Sequence, residues 1–281
     1  MSAAADVIYR YDGSFEGLLC CVFESYQQKE IPRAIFPAAE GQITLLQERQ
    51  IFTDEARARR VLRSIPEKIG VEALGFIRRA FWTCLAQKEL YILLFLRRGY
   101  RVGPAVLQQL TDPVVDKLVK AVKHLDNESH LLKGFIRFSD FQHILVAKIG
   151  PKNYVLPLLE QHFRERYPEE HFLIHDETHK MALVYQPHRG MIVPLEKLEL
   201  PAPDAEEAVY RRLWQAFYDA VEIQQRHNPK CRMSFMPQRY WKYMTEFDRE
   251  PSAPSAEIKQ TPMPASAAPL GRSLIEKKNG V

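Results

Sequence analysis

The sequence has few cysteines and no spacing that would pair them. Cys20, Cys21, Cys84 and Cys231 are the four in 281 residues. Isolated thiols fit reduced side chains in a cytoplasmic protein better than a disulfide framework. No Cys-x-x-x-Cys-x-x-Cys cluster is present, which excludes a radical SAM iron–sulfur site in this chain. The phosphate-cradling patterns Gly-x-x-x-x-Gly-Lys-Ser/Thr and Gly-x-Gly-x-x-Gly are missing, and so is a Gly-x-Ser-x-Gly nucleophile elbow. No bilayer-spanning run exists: the most apolar stretch, residues 90–96, is far too short. Residues 1–6 have no basic start and no long apolar run, so no signal peptide is expected. The expectation is a cytoplasmic protein without membrane contact, cofactor or internal repeat.

What is present is an ordinary globular composition with uneven charge. Hydrophobic residues make up 46% and charged residues 26%, typical of a soluble protein with a sizeable core. The formal net charge is only +4. Residues 1–56 hold four Lys and Arg against nine Asp and Glu, whereas residues 57–101 hold eleven against three, a local net of +8. A basic block on a near-neutral chain suggests an anionic partner. The plainer alternative is a set of solvated helix faces.

The chain is organised around residues 133–195. Residues 135–138 (Phe-Ile-Arg-Phe) are too short for a helix and read as a strand, as do residues 144–149, with residues 139–143 between them at hairpin length. Residues 154–167 follow at helical spacing and Pro168 ends them. Residues 171–175 and 181–185 are two more extended runs, and residues 191–194 a candidate edge strand. The order strand, strand, helix, strand, strand predicts an antiparallel sheet with one helix across a face, an α+β unit.

A strand at residues 7–11 and a turn at Asp12-Gly13 precede a helix capped by Ser14 and reaching about Gln27. Asp54 opens a helix, Pro66 opens a second running to about Ala86, and residues 89–98 form another that Gly99 ends. Further helices cover residues 104–110 and 113–132. After residues 200–204, residues 205–226 read as a long helix with Val209, Leu213, Phe217, Ala220 and Val221 on one face. The organisation expected is therefore an N-terminal α/β portion (1–53), a helical region (54–132), the antiparallel sheet unit (133–200), a C-terminal helix with an aromatic-basic segment (201–250) and a disordered tail (251–281). The tail carries five prolines between residues 251 and 269 and few apolar anchors.

Three motifs invite chemistry. His175-Asp176-Glu177-Thr178-His179 places two histidines four apart, but on a strand-to-strand connection and without the His-Glu-x-x-His order, so no metal site is expected and a polar hairpin is the simpler reading. Arg78, Arg79, Arg97, Arg98 and Arg101 lie in the basic block, and Lys133 and Arg137 follow it. Arg239, Tyr240 and Lys242 sit in an aromatic-cationic run, Arg-Tyr-Trp-Lys-Tyr, where cations suit phosphates and ring faces suit unpaired bases. Tyr240, Trp241 and Met244 fit equally well as the inner face of a short helix begun at Pro237.

Several blocks also carry a family resemblance. Tyr-Arg-Tyr-Asp-Gly-Ser-Phe-Glu-Gly-Leu-Leu at residues 9–19, Gly-Phe-Ile-Arg-Phe at 134–138, Pro-Lys-Asn-Tyr at 151–154, Thr-His-Lys-Met-Ala at 178–182 and Met-Pro-Gln-Arg-Tyr-Trp-Lys at 236–242 resemble a bacterial family labelled "probable DNA metabolism protein". The resemblance covers about residues 7–250. It implies a partner, a radical SAM protein of DNA repair or modification. In some relatives it also implies fusion to a uracil-DNA glycosylase-like domain, whose four-cysteine pattern this sequence lacks, so glycosylase activity does not carry over. No catalytic residues transfer either.

The reading reached is a DNA-repair or DNA-modification accessory protein that binds single-stranded or damaged DNA through Arg78, Arg79, Arg97, Arg98, Arg101, Lys133, Arg137, Arg239, Tyr240 and Lys242 and works with a radical SAM enzyme. One alternative is an enzyme acting on DNA or a nucleotide with His130, His179 or Asp176 as acid–base groups. Another is a protein-binding adaptor that uses the acidic N-terminal portion. One consequence is directly testable: residues 251–281 offer almost no apolar surface to bury, so truncation at Arg249 should keep the melting temperature of the full chain in a thermal unfolding scan. A large drop would mean that the tail docks.

Overall fold

Val7–Tyr11 (β1) is β-branched and aromatic, and all five residues are buried. A short apolar run without alternation belongs in the middle of a sheet covered on both faces. In a computed structural model, which describes residues 5–38, 45–203, 205–221, 223 and 228–248, β1 lies between β2 (Ala34–Pro37) and β3 (Gln47–Gln50), parallel to both. The turn at Gly13 has φ +85°, a region glycine adopts without Cβ strain. Ser14 then caps α1 (Phe15–Gln27), its Oγ accepting the Gly17 N–H at 2.9 Å.

Four helices pack beyond this sheet: α2 (Glu55–Lys68), α3 (Val71–Phe81), α4 (Lys88–Val102) and α5 (Pro113–Phe135). Several boundaries differ from the sequence reading: α3 ends at Phe81, short of the expected Ala86, and α5 runs past the expected residue 132 to Phe135. Pro66 lies inside the last turn of α2, and the break before α3 is Gly70, whose φ of +112° no helix accommodates. Gly99 does not end α4. The helix runs one turn further to Gly103, at φ +71°. Gly99 instead serves close packing: a Cβ there would lie 2.8 Å from Ile69 Cδ1.

The second sheet has the order β4 (Ser139–Phe141), β5 (Ile144–Ile149), β6 (His171–Asp176), β7 (Met181–Gln186), β8 (Arg189–Pro194). It is mixed, which corrects the antiparallel expectation. β5 and β6 run parallel, from Ile144 opposite His171 to Ile149 opposite Asp176. The cause is α6 (Leu156–Arg166), a helical crossover that carries the chain back to the starting end, as a parallel neighbour requires. The other pairs are antiparallel. Phe135 closes α5, and pairing starts only at Ser139. The β4–β5 turn is Gln142-His143, both at positive φ (+54° and +67°), with Asp140 Oδ1 accepting the His143 N–H at 2.7 Å. The α+β class holds, with one parallel and one mixed sheet.

α7 (Ala205–Val221) departs most from expectation. An apolar stripe of this spacing usually faces a core, yet Val209, Leu213, Phe217 and Val221 are 43–60% exposed. The helix attaches through polar groups. Glu207 accepts the Asp140 N–H at 3.2 Å, Arg211 donates to Ser139 Oγ at 2.6 Å, and Trp214 Nε1 donates to Glu246 at 3.1 Å. These contacts turn the helix so that the stripe faces outward. Beyond it come α8 (Pro229–Phe235) and a 3₁₀ helix, Gln238–Tyr243. The expected helix end at residues 224–226 and the expected tail at 251–281 lie outside the described residues.

Two hydrophobic cores share α5. Val115, Leu118 and Val122 belong to the core under β1 and α1–α4, whereas Leu125, Leu132 and Ile136 belong to the core under the second sheet. At 1.5 Å per residue a 23-residue helix spans about 34 Å, enough to run through both. The Gly99–Ile69 approach sets the packing of α4 on the end of α2. Gly99→Ala should therefore destabilise by about 1–3 kcal/mol through overpacking, although alanine is the better helix former. Urea denaturation of the two proteins measures it, and a stabilised variant would disprove the contact.

Candidate functional site

The residues singled out by sequence are not brought onto one surface. Arg78 and Arg101 are exposed on α3 and α4. Arg79 pairs with Asp126 at 3.3 Å, and Arg98 with Asp112 at 2.8 Å. Arg97 donates to Ser25 Oγ at 2.8 Å and lies over the Tyr26 ring. Lys133 is exposed on α5, as is His130. Arg137 forks onto Glu246 at 2.7 and 3.1 Å and stacks on Trp214. Much of the basic block thus serves internal contacts.

The aromatic-cationic run forms the 3₁₀ helix, whose sides have different surroundings. Tyr240 is fully buried against Phe135, so its ring does not face solvent. Its hydroxyl and Arg239 both reach Glu128, at 3.1 and 2.9 Å. Glu128 is 2% exposed. It also accepts the backbone N–H groups of Lys152 (3.0 Å) and Asn153 (2.8 Å), and Asn153 Nδ2 at 2.6 Å. Burial alone would raise its pKa. The two amide donors, Asn153 and Arg239 outweigh burial and hold it below the usual carboxylate range. Burial, partly opposed by Arg239, pushes the Tyr240 hydroxyl up to about 12. Asn153 extends the junction to the helical layer, its Oδ1 accepting the Cys84 N–H at 2.9 Å.

Lys242, on the other side of that helix, faces a cleft of about 370 Å³ near the carboxyl ends of β5 and β6. Carboxyl ends of parallel strands are where helix crossovers leave room for ligands. Lys148, His175, Lys180 and Lys197 also line it. The parallel register places Lys148 opposite His175, so both project from one face. Glu177 accepts the Tyr243 hydroxyl at 2.7 Å and lies 3.5 Å from Lys242 Nζ. Burial would raise the Glu177 pKa, but Tyr243, Lys242 and Lys148 hold it low. Burial and the same carboxylate push the Tyr243 hydroxyl up. Tyr243 reaches this position because residue 150 is glycine: a Cβ there would sit 2.2 Å from its hydroxyl oxygen.

Asp176, next along β6, projects to the opposite face and is fully buried. It accepts the N–H groups of Thr178 (2.9 Å) and His179 (3.1 Å), and His179 Nδ1 at 2.7 Å. His179 packs edge-on against Tyr154. The pair closes the β6–β7 turn and does not line the cleft. Among the described residues, no group of three or more His, Cys, Asp and Glu is placed to hold a metal ion, and no helix is long and apolar enough to cross a membrane.

Sequence reasoning missed the gathering of Lys148, Lys180 and Lys197 with Lys242. They are 17 to 94 positions apart in the chain, and only the parallel β5–β6 register and the return of the 3₁₀ helix bring them together. A match to a family model described as a domain of unknown function (DUF4130) spans residues 86–246, more than half of the chain. No curated protein and no solved structure matches.

Removing the Glu128 carboxylate takes the acceptor from the half-buried Arg239 and leaves the buried Asn153 amide without one. Glu128→Ala should cost about 1–3 kcal/mol, the usual range for leaving buried donors unsatisfied. Because the folded pKa is lowered, the charge stabilises fully above the ordinary glutamate value of about 4.3, and that contribution is lost as pH falls through the lower folded value. The gap between the wild type and Glu128→Gln in urea unfolding should therefore close on acidification below about pH 4. A gap that widens there would refute the assignment.

Proposed function

This chain belongs to the family described as a domain of unknown function, DUF4130, and from that footing we propose that it binds nucleic acid through phosphate groups at the lysine cleft. The carrying observation is the convergence of Lys148, Lys180, Lys197 and Lys242 on one cleft at the carboxyl ends of β5 and β6. Ammonium groups on flexible stems suit phosphates as point charges and read no sequence. The local net of +8 at residues 57–101 adds little to this reading, because Arg57, Arg59, Arg79 and Arg98 pair with carboxylates outside that stretch, and charges such as Arg78 and Arg101 stay exposed to attract an anion.

The wider proposal is an accessory role in DNA repair or modification beside a radical SAM enzyme. It rests on the resemblance of the sequence blocks. A separate observation favours the protein-binding component of that role. The outward stripe of α7, with Leu213 at 60% and Phe217 at 56% exposure, borders a groove of about 730 Å³ that also includes Arg137, Phe138 and Trp214. Exposed apolar surface of this kind commonly marks a protein contact.

The nucleic-acid reading predicts salt dependence. Each phosphate contact with a single strand contributes a log–log slope of about 0.7, so replacing Lys148, Lys197 and Lys242 together with alanine should lower the slope by up to about two units and weaken all sequences alike. Anisotropy titrations of labelled single-stranded and duplex oligonucleotides measure this, with circular dichroism to verify folding. A folded wild type that binds neither at low salt would exclude the reading, and an unchanged slope in the triple variant would exclude the cleft.

A further inference from the structure

The cleft holds one group that the lysines leave unexplained. His175 is 2% exposed, lies on a central strand and lines the cleft wall. Its Nε2 is 2.9 Å from the Leu195 carbonyl oxygen. A carbonyl oxygen only accepts, so Nε2 carries the ring proton. Nδ1 is then a bare acceptor in the neutral ring, and it is buried with no hydrogen-bond partner among the described residues. A ligand that satisfies it must bring a hydrogen. The charges around it are Lys148 from β5, Glu177 and Lys180 from the β6–β7 turn, Glu196 and Lys197 after β8, and Lys242 from the 3₁₀ helix. Glu199 pairs with Lys197. The surroundings are net cationic and ask for an anion, while Nδ1 asks for a proton donor.

We infer that the cleft is a site for a phosphomonoester, the terminal phosphate of a nucleic-acid strand, with His175 Nδ1 sharing the proton of the bound group. The inference rests on the nucleic-acid reading and deepens it. An internal phosphodiester carries one charge and no dissociable proton near neutrality, so it serves the lysines and leaves Nδ1 unpaired. A monoester loses its second proton with a pKa of about 6. Below that value it arrives with the hydrogen Nδ1 needs. Above it the dianion binds together with one proton drawn from solvent, which is then held between a phosphate oxygen and Nδ1. No bond is made or broken beyond that proton transfer.

The test is calorimetric titration with a 5′-phosphorylated single-stranded oligonucleotide, the same oligonucleotide with a 5′-hydroxyl, a nucleoside 5′-monophosphate and inorganic phosphate. Each titration is run in two buffers of different ionisation heat. The phosphorylated strand should bind at least about tenfold tighter than the hydroxyl strand, the gain expected of one charge-assisted hydrogen bond. Above about pH 7 it should take up close to one proton per site, and the uptake should fall as pH drops through about 6. His175→Gln keeps a donor to the Leu195 carbonyl and removes Nδ1, so it should lose both the preference and the uptake. If that variant does not fold, the proton count on the wild type decides. Equal binding of the two strands, or a preference without proton uptake, would overturn the inference and leave the nucleic-acid reading standing. If neither strand binds, that reading fails. Monophosphate or phosphate binding with proton uptake would then uphold the cleft as a phosphomonoester site, and no binding would overturn it.

Discussion

The Glu128 carboxylate is the contact on which the arrangement around the cleft depends. One buried group on α5 gathers five donors from two other places in the chain: the loop after β5 and the 3₁₀ helix. A buried charge is tolerable only when it is fully paired, so all five donors are held in place by the same requirement. The loop they hold carries Gly150 and Asn153, and the helix carries Lys242 and Tyr243. Through Asn153 and the Cys84 N–H the network also reaches the helical layer. Of the cleft lysines, Lys242 sits on backbone that Glu128 anchors and Lys148 on the strand that leads into the anchored loop, while Glu177 and Glu199 hold Lys242 and Lys197.

The two exposed features of the second half have opposite chemistry. The cleft is rich in ammonium groups and lies at strand ends. The α7 stripe is apolar and faces outward, because Glu207, Arg211 and Trp214 tie the helix down by its polar edge. A nucleic acid suits the first and a protein the second. The hydrogen bonds of the buried Asp176 to Thr178 and His179 are those of a turn that must satisfy two backbone N–H groups.

Local pattern made the elements legible in the sequence. β1, α1 with its Ser14 cap, α6 and the strands at 144–149, 171–176 and 181–186 follow from periodicity and capping chemistry. What could not be read depended on pairing between distant residues. The parallel sense of β5 and β6 arises from a crossover, and an element order of strand, helix, strand does not by itself say which neighbour each strand takes. Gly99 reads as a helix stop, and only the proximity of Ile69 reveals it as a packing site. The α7 stripe has ideal spacing for burial, but periodicity shows that a helix is amphipathic and not which side it presents. Of the site residues, Lys242 lies on the cleft, whereas Tyr240, its neighbour but one, is buried. A run such as Arg-Tyr-Trp-Lys-Tyr sends alternate residues in different directions once it coils.

The length of α5 has a consequence for the molecule's behaviour in time. A helix whose first half is sealed by one core and whose second half by another cannot fray in the middle without exposing apolar surface in both. Its central amides around Val122 and Leu125 should be among the last to exchange with solvent deuterium, and they should respond to events at either end. Closing the cleft around an anion would slow opening of the Glu128 turn of α5, and the protection would spread toward Val115, on the side of the parallel sheet. The two halves of the chain would then share one exchange unit, so that occupancy of a site at the second sheet could be registered by amides that never approach it.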